Sequence, residues 1–166
     1  MMADGESPKP AVGGAGDIPF MRRALGLAEI ALGRGDSPVG AVVIREGRTV
    51  GEGVEGVRSE KDLTAHAELK AVREACRTLG TLDLADCTLY TTVEPCFMCS
   101  FVIRKAGVSG VVSGKAETRV GGISSKHPIL VDTSIPGFPP PPEVVIGVLE
   151  EECIALFDRR PLTGAC

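Results

Sequence analysis

Two short motifs, well separated along the chain, constrain this fold more than any other feature: His66-Ala67-Glu68 and Pro95-Cys96-Phe97-Met98-Cys99. One imidazole and two thiols form the nitrogen and sulfur set that zinc prefers. Three protein ligands, rather than four, leave one tetrahedral position for water, which separates a catalytic zinc site from a structural one. A fold that uses both motifs must bring two distant segments to one point. Glu68, two residues past the histidine, can then stand beside that water without binding the metal.

The elements around the motifs are legible. Asp17 reads as an N-cap with Pro19 in the first turn, and Ile18, Met21, Leu25, Ala28 and Leu32 recur at helical spacing until Gly33 and Gly35. Residues 38–44 form a short apolar strand, 45–48 a turn, and 49–54 a returning strand, together a hairpin. A polar loop over 55–63 delivers the chain to a helix over 65–79, which Gly80 stops. Residues 87–92 give a third strand. Glu94-Pro95 is read as the start of a helix that carries both cysteines and ends at Gly107. A fourth strand follows over 108–112. Residues 121–125 read as a turn-rich loop and 136–142 as a stiff, proline-rich connector, followed by a fifth strand over 143–148 and a closing helix over 149–159. Strands alternating with helices after a hairpin make an α/β layered domain with a mixed sheet.

Cys96 and Cys99 are three apart, so a helix projects them from one face. In its first turn, the positive end of the helix dipole lowers their pKa and favours metal binding. His66 and Glu68 are two apart, which on a helix is nearly opposite faces, so they converge only if the site lies over the helix end. Zinc brings the pKa of a bound water from near 16 to about 7. Glu68 can take that proton and later give it up, because one carboxylate alternates as base and acid. Taken singly the motifs have other readings. P-C-x-x-C also occurs as half of a zinc ribbon or as a redox pair. A ribbon needs a second C-x-x-C, which this sequence lacks, and the redox motif normally follows a first strand rather than a third.

The bulk composition limits the partners. A chain of 166 residues with 43% apolar content suits one domain and one substantial core. The net charge of −4 provides no global basic field for nucleic acid. No apolar run approaches the roughly 18 residues that span a bilayer, so no membrane partner is expected. Residues 1–16 read as a disordered lead-in and 161–166 as a short tail around a domain over 17–160. Cys76, Cys87, Cys153 and Cys166 show no framework spacing, which points to a reduced, cytoplasmic setting.

The pairing of H-x-E with a later P-C-x-x-C is the signature of the zinc deaminases. Over residues 20–157 the chain resembles the cytidine and deoxycytidylate deaminase superfamily. The segments SPVGAVV (37–43), DLTAHAE (62–68), LYTTVEPCFMC (89–99) and the closing EECIAL are most similar to the branch of tRNA adenosine deaminases, guanine deaminases and fungal cytosine deaminases. The resemblance implies a three-layer α/β/α domain with a mixed five-stranded sheet, a homodimer, and one Zn2+ per subunit on His66, Cys96 and Cys99. It implies Glu68 as the proton shuttle, with the backbone amides of Ala67 and Cys96 near the substrate.

Two departures from that branch stand out. Its members commonly carry an asparagine eleven residues before the zinc histidine, where the amide reads the base; here the position is Glu55. A carboxylate only accepts hydrogen bonds, whereas an amide accepts and donates, so Glu55 in the pocket favours rings presenting N–H groups. The alternative is a solvated loop residue. The tRNA-acting enzymes also continue past the last helix with a basic stretch, whereas Asp158-Arg159-Arg160 is followed by uncharged residues. Arg58, Lys61, Arg104, Lys105, Lys115, Arg119 and Lys126 are either a basic patch or ordinary solvated surface. His127 is a surface residue, a substrate contact or a fourth ligand. Phe97 and Met98 are expected to pack in the core or a dimer face.

The leading expectation is an enzyme that hydrolyses the exocyclic amine of a free nucleobase, nucleoside or related small-molecule amino-heterocycle, with nucleic acid disfavoured. A tRNA adenosine deaminase producing inosine is the alternative. A non-enzymatic, zinc-stabilised interaction module is the third.

Overall fold

The computed structural model describes residues 12–162. Expectations for residues 1–11 and 163–166 lie outside the described residues. Within the expected lead-in, Val12 packs against the core, and a 3-10 turn, Ala15–Asp17, leads into the first helix.

The chain forms α1 (Ile18–Gly33), β1 (Gly40–Arg45), β2 (Arg48–Val54), α2 (Ala67–Leu79), β3 (Cys87–Val93), α3 (Phe97–Lys105), β4 (Gly110–Lys115), β5 (Glu143–Ile146) and α4 (Glu150–Phe157). The sheet order is β2-β1-β3-β4-β5. β1 runs antiparallel to both β2 and β3, while β3, β4 and β5 are parallel, so the expected mixed five-stranded sheet is present. The hairpin turns on Glu46 and Gly47 with φ of 50° and 72°, the pair of positive φ values that a type I′ turn requires.

Alternation along the strands builds two cores. Ala41, Val43, Leu89 and Val111 face one side, where α2 and α3 supply Ala71, Val72 and Ile103. Val42, Ile44, Tyr90 and Val112 face the other, where α1 and α4 supply Met21, Ala28, Cys153 and Leu156. This is the three-layer α/β/α arrangement. No helix among the described residues is long and apolar enough to cross a membrane, and none of the described cysteines is in a disulfide.

Three local expectations are corrected. Asp17 occupies the N-cap position of α1 but its side chain makes no capping bond there; it is 3% exposed, and its carboxylate accepts the amides of Gly13 and Gly14 and the Tyr90 hydroxyl at 2.7 Å. The α3 helix begins at Phe97 rather than Glu94-Pro95, because the buried Glu94 carboxylate is engaged elsewhere. Residues 116–142, read as a turn-rich loop and a proline-rich connector, cross between β4 and β5 as a long irregular connection. Arg104 is no surface cation: at 3% exposure it donates to the carbonyls of Ile129, Leu130, Asp132 and Pro139 and so holds that connection against α3. Within 136–142, Phe138 also stacks edge-on against Phe101 of α3.

α2 lies unusually close to β2. A Cβ added at Gly53 would sit 1.8 Å from the Ala67 carbonyl oxygen, so only glycine lets the start of α2 rest on the strand. Gly53→Ala is expected to destabilise the fold by about 1–3 kcal/mol as overpacking does. The denaturant midpoint measures the loss.

Candidate active site

Each motif sits at a helix start. His66 is the N-cap of α2 in an extended conformation (φ −72°, ψ 144°), so its side chain leaves the helix end rather than the helix face. That conformation lets His66 and Glu68 meet despite their spacing. Cys96 is the N-cap of α3 and Cys99 lies in its first turn. The N-termini of α2 and α3 therefore point toward one place, on the face of the sheet that both helices cover.

The Cys96 and Cys99 sulfurs lie 3.7 and 3.6 Å from His66 Nδ1. A tetrahedral zinc with Zn–S of about 2.3 Å and Zn–N of about 2.0–2.1 Å separates its sulfur and nitrogen ligands by about 3.6 Å. The three ligand atoms lie within 4.8 Å of one another, so the donor set and its spacing fit zinc. A second group, Glu55, His66 and Glu68, also lies within 4.8 Å. Glu68 is 3% exposed, with Oε2 3.6 Å from the Cys99 sulfur. His127 belongs to neither group among the described residues; its ring packs edge-on against Phe97 with centroids 6.0 Å apart. Phe97 and Met98 are half-buried, Met98 against the α2/α3 core.

Glu55 is not a solvated loop residue. It is 5% exposed, and its Oε2 accepts the Ala67 N–H at 3.0 Å. The Ala67 amide, expected near the substrate, is thereby engaged by Glu55.

Two buried carboxyls and three metal-type ligands in one pocket perturb each other. Burial, then the nearby Glu55 charge, pushes Glu68 up to about 7. Burial raises Glu55 to about 7, against the opposing pull of His66 and the Ala67 N–H. The Cys99 thiol's hydrogen bond, reinforced by His66 against burial, lowers Cys96 to about 4. Cys96 in turn is the main cause that raises His66 to about 9. Cys99, whose proton is held by Cys96 and by burial, is pushed up.

Sequence reasoning missed the residues that pin the surrounding loops. Glu94, 2% exposed, accepts the amides of Glu117 at 2.9 Å and of Ile123 and Ser124 at 2.7 Å each. With Phe97 N–H on the Val120 carbonyl and Gly122 N–H on that of Pro95, it straps residues 117–124 to the start of α3. Asp36 accepts the amides of Arg58 and Ser59, and Lys70 donates to the Val54 carbonyl and to Glu60. The one sequence signal available was Glu94, an acidic residue immediately before the second motif.

The Glu68 shift has a signed consequence for the metal-stripped protein. A carboxyl whose folded pKa lies above its unfolded value stabilises the fold below the unfolded pKa and loses that contribution as pH rises through the folded value. Glu68→Gln should therefore leave metal-free stability near pH 5 unchanged and raise it at pH 8.5 by on the order of 1–2 kcal/mol. Urea midpoints at the two pH values measure this.

The geometry has counterparts among known proteins. A profile of the cytidine and deoxycytidylate deaminase zinc-binding region matches residues 16–115. A tRNA-specific adenosine deaminase of Aquifex aeolicus is 38% identical over 116 residues, spanning 70% of this chain and 77% of that protein. A structure solved in work on A-to-I editing by tRNA:A34 deaminases aligns with a TM-score of 0.76 at 33% identity, over 83% of this chain and 98% of that one. The guanine deaminase of Bacillus subtilis aligns with a TM-score of 0.55 at 41% identity, over 59% and 63%. Zinc-ligand chemistry, buried carboxylate, fold and matched region agree: the chain belongs to the cytidine and deoxycytidylate deaminase family of zinc-dependent hydrolytic enzymes.

Proposed function

We propose that this deaminase acts on a free amino-heterocycle, a nucleobase, nucleoside or related small ring, with zinc on His66, Cys96 and Cys99 and with Glu68 as proton carrier. The observation that carries the reading is a buried carboxylate beside three metal-type ligands at two converging helix starts. Zinc, when bound, supplies a Lewis acid that makes water nucleophilic near neutral pH.

The chain's own residues supply the rest. Glu68 accepts a proton from the attacking water as oxygen bonds to the amine-bearing ring carbon. It passes that proton to the adjacent ring nitrogen. The second water proton follows the same route to the amine, the C–N bond breaks, ammonia leaves, and a ring carbonyl remains. One carboxylate can give and take protons in turn, and Glu68 lies within 4.8 Å of the His66 ring, close enough to serve both steps. The buried surroundings of Glu68 and Cys99 exclude bulk water, which strengthens each charge interaction.

A small ring rather than a polynucleotide is supported by the net charge of −4 and by Arg104, which is committed to backbone carbonyls. It is supported further by the acidic character that Glu55 gives the pocket. The second reading, a tRNA adenosine deaminase, is favoured by one specific observation: relatives at 36–38% identity carry that name.

Glu68→Ala is expected to retain its zinc while losing about 10²–10⁴-fold in turnover. Metal content beside ammonia release checks both halves; loss of zinc or unchanged turnover would sink the assignment. Wild-type enzyme should release ammonia from at least one of guanine, cytosine, adenine and their nucleosides, and should not shift an anticodon stem-loop on a gel at physiological salt. Silence on every ring together with stem-loop binding and inosine formation would establish the tRNA reading instead.

A further inference from the structure

Glu55 is a buried acid that the mechanism above leaves without a role. It is outside the His66, Cys96, Cys99 group, and Glu68 already carries the protons. Yet its carboxylate lies within 4.8 Å of both the His66 ring and the Glu68 carboxylate. We propose that Glu55 selects the substrate, by accepting a hydrogen bond from a ring N–H next to the carbon that loses its amine; this rests on the small-ring reading given above.

The side chain is held for such a task. The Glu55 N–H donates to the Val39 carbonyl at 3.1 Å, and the next amide, Gly56, to that of Ala65 at 2.9 Å. Asp36 fixes the amides of Arg58 and Ser59 just beyond, and Lys70 ties the end of β2 to Glu60. The Ala67 N–H then orients the carboxylate itself. This is a preorganised group on a pinned loop, not one that must order on binding.

Chemistry sets what it selects. An ionised carboxylate has about four acceptor sites and no donor. The Ala67 amide takes one of them, and a buried carboxylate left short of donors costs free energy that a ligand N–H recovers. A bare ring nitrogen would instead face it lone pair to lone pair. Glu68, close by, needs the opposite: an unprotonated ring nitrogen to receive its proton. The ring that satisfies both carboxylates presents N–H on one side of the amino carbon and bare nitrogen on the other. That is a 2-amino lactam, the pattern of guanine and of isocytosine. Adenosine and cytidine offer only ring acceptors beside their amino carbons.

Two matched pairs test this: guanine against 2-aminopurine, and isocytosine against 2-aminopyrimidine. Within each pair the same amine is removed, and only the first member carries the lactam N–H. Zinc-loaded wild-type enzyme at pH 8 is expected to show kcat/KM at least about 10-fold higher on the lactam of each pair, the scale of one hydrogen bond to a charged group. Glu55→Gln and Glu55→Asn should each reduce that preference about 10-fold or more, with zinc content and thermal midpoint near wild type. The wild-type ranking stands as a test even if a variant fails to fold. Equal or reversed ranking in the wild type, efficient turnover of adenosine, or an unchanged ranking in a folded Glu55→Gln would overturn the assignment. Turnover of free rings with unchanged ranking removes Glu55 alone. Turnover of a stem-loop adenosine, with none of the free rings, removes the small-ring reading as well.

Discussion

Everything at this site depends on two helix N-termini meeting on one face of the sheet. α2 reaches that point because Gly53 lets its first carbonyl rest on β2, and α3 because the buried β3 delivers the chain to Cys96. Two positive helix ends at one place favour thiolates and tolerate carboxylates. That local field makes it feasible to bury two acids and two cysteines around a histidine. Without it, the desolvation of so many ionisable groups would oppose folding.

The loops around the site are held largely by charged side chains that bind backbone. Glu94 gathers three amides, Asp36 two, and Arg104 four carbonyls. Each satisfies polar backbone that irregular segments cannot pair through a ladder. Residues 116–142 have little secondary structure, and these contacts give them a defined path beside α3. Glu55 belongs to the same system: its carboxylate accepts the Ala67 N–H at the start of α2 and lies within 4.8 Å of the His66 ring and the Glu68 carboxylate.

Much of this was readable from residue order. Helical spacing located α1, Gly80 marked the end of α2, the turn over 45–48 marked the hairpin, and strands alternating with helices announced a layered α/β domain. The metal set was legible because zinc chemistry admits few residue types and spacings. The misreadings share one cause. Asp17, Glu94 and Arg104 look like a cap, a helix start and a surface cation when only neighbours in sequence are considered. Their actual partners, Tyr90, the amides near residue 123 and the carbonyls near residue 130, are distant in sequence.

The sequence by itself determined which groups could hold zinc and move protons, since that follows from side-chain chemistry and short-range spacing. It also determined the layered α/β class, since periodicity reports which faces are buried. Only the tertiary structure decided that His66 and Glu68 converge, because their spacing opposes convergence on a helix face and an extended N-cap overrides it. Only the tertiary structure decided that Glu55 is buried against the start of α2 rather than solvated. Whether a loop carboxylate meets water or a pocket depends on what packs over it, and that is fixed by residues far along the chain.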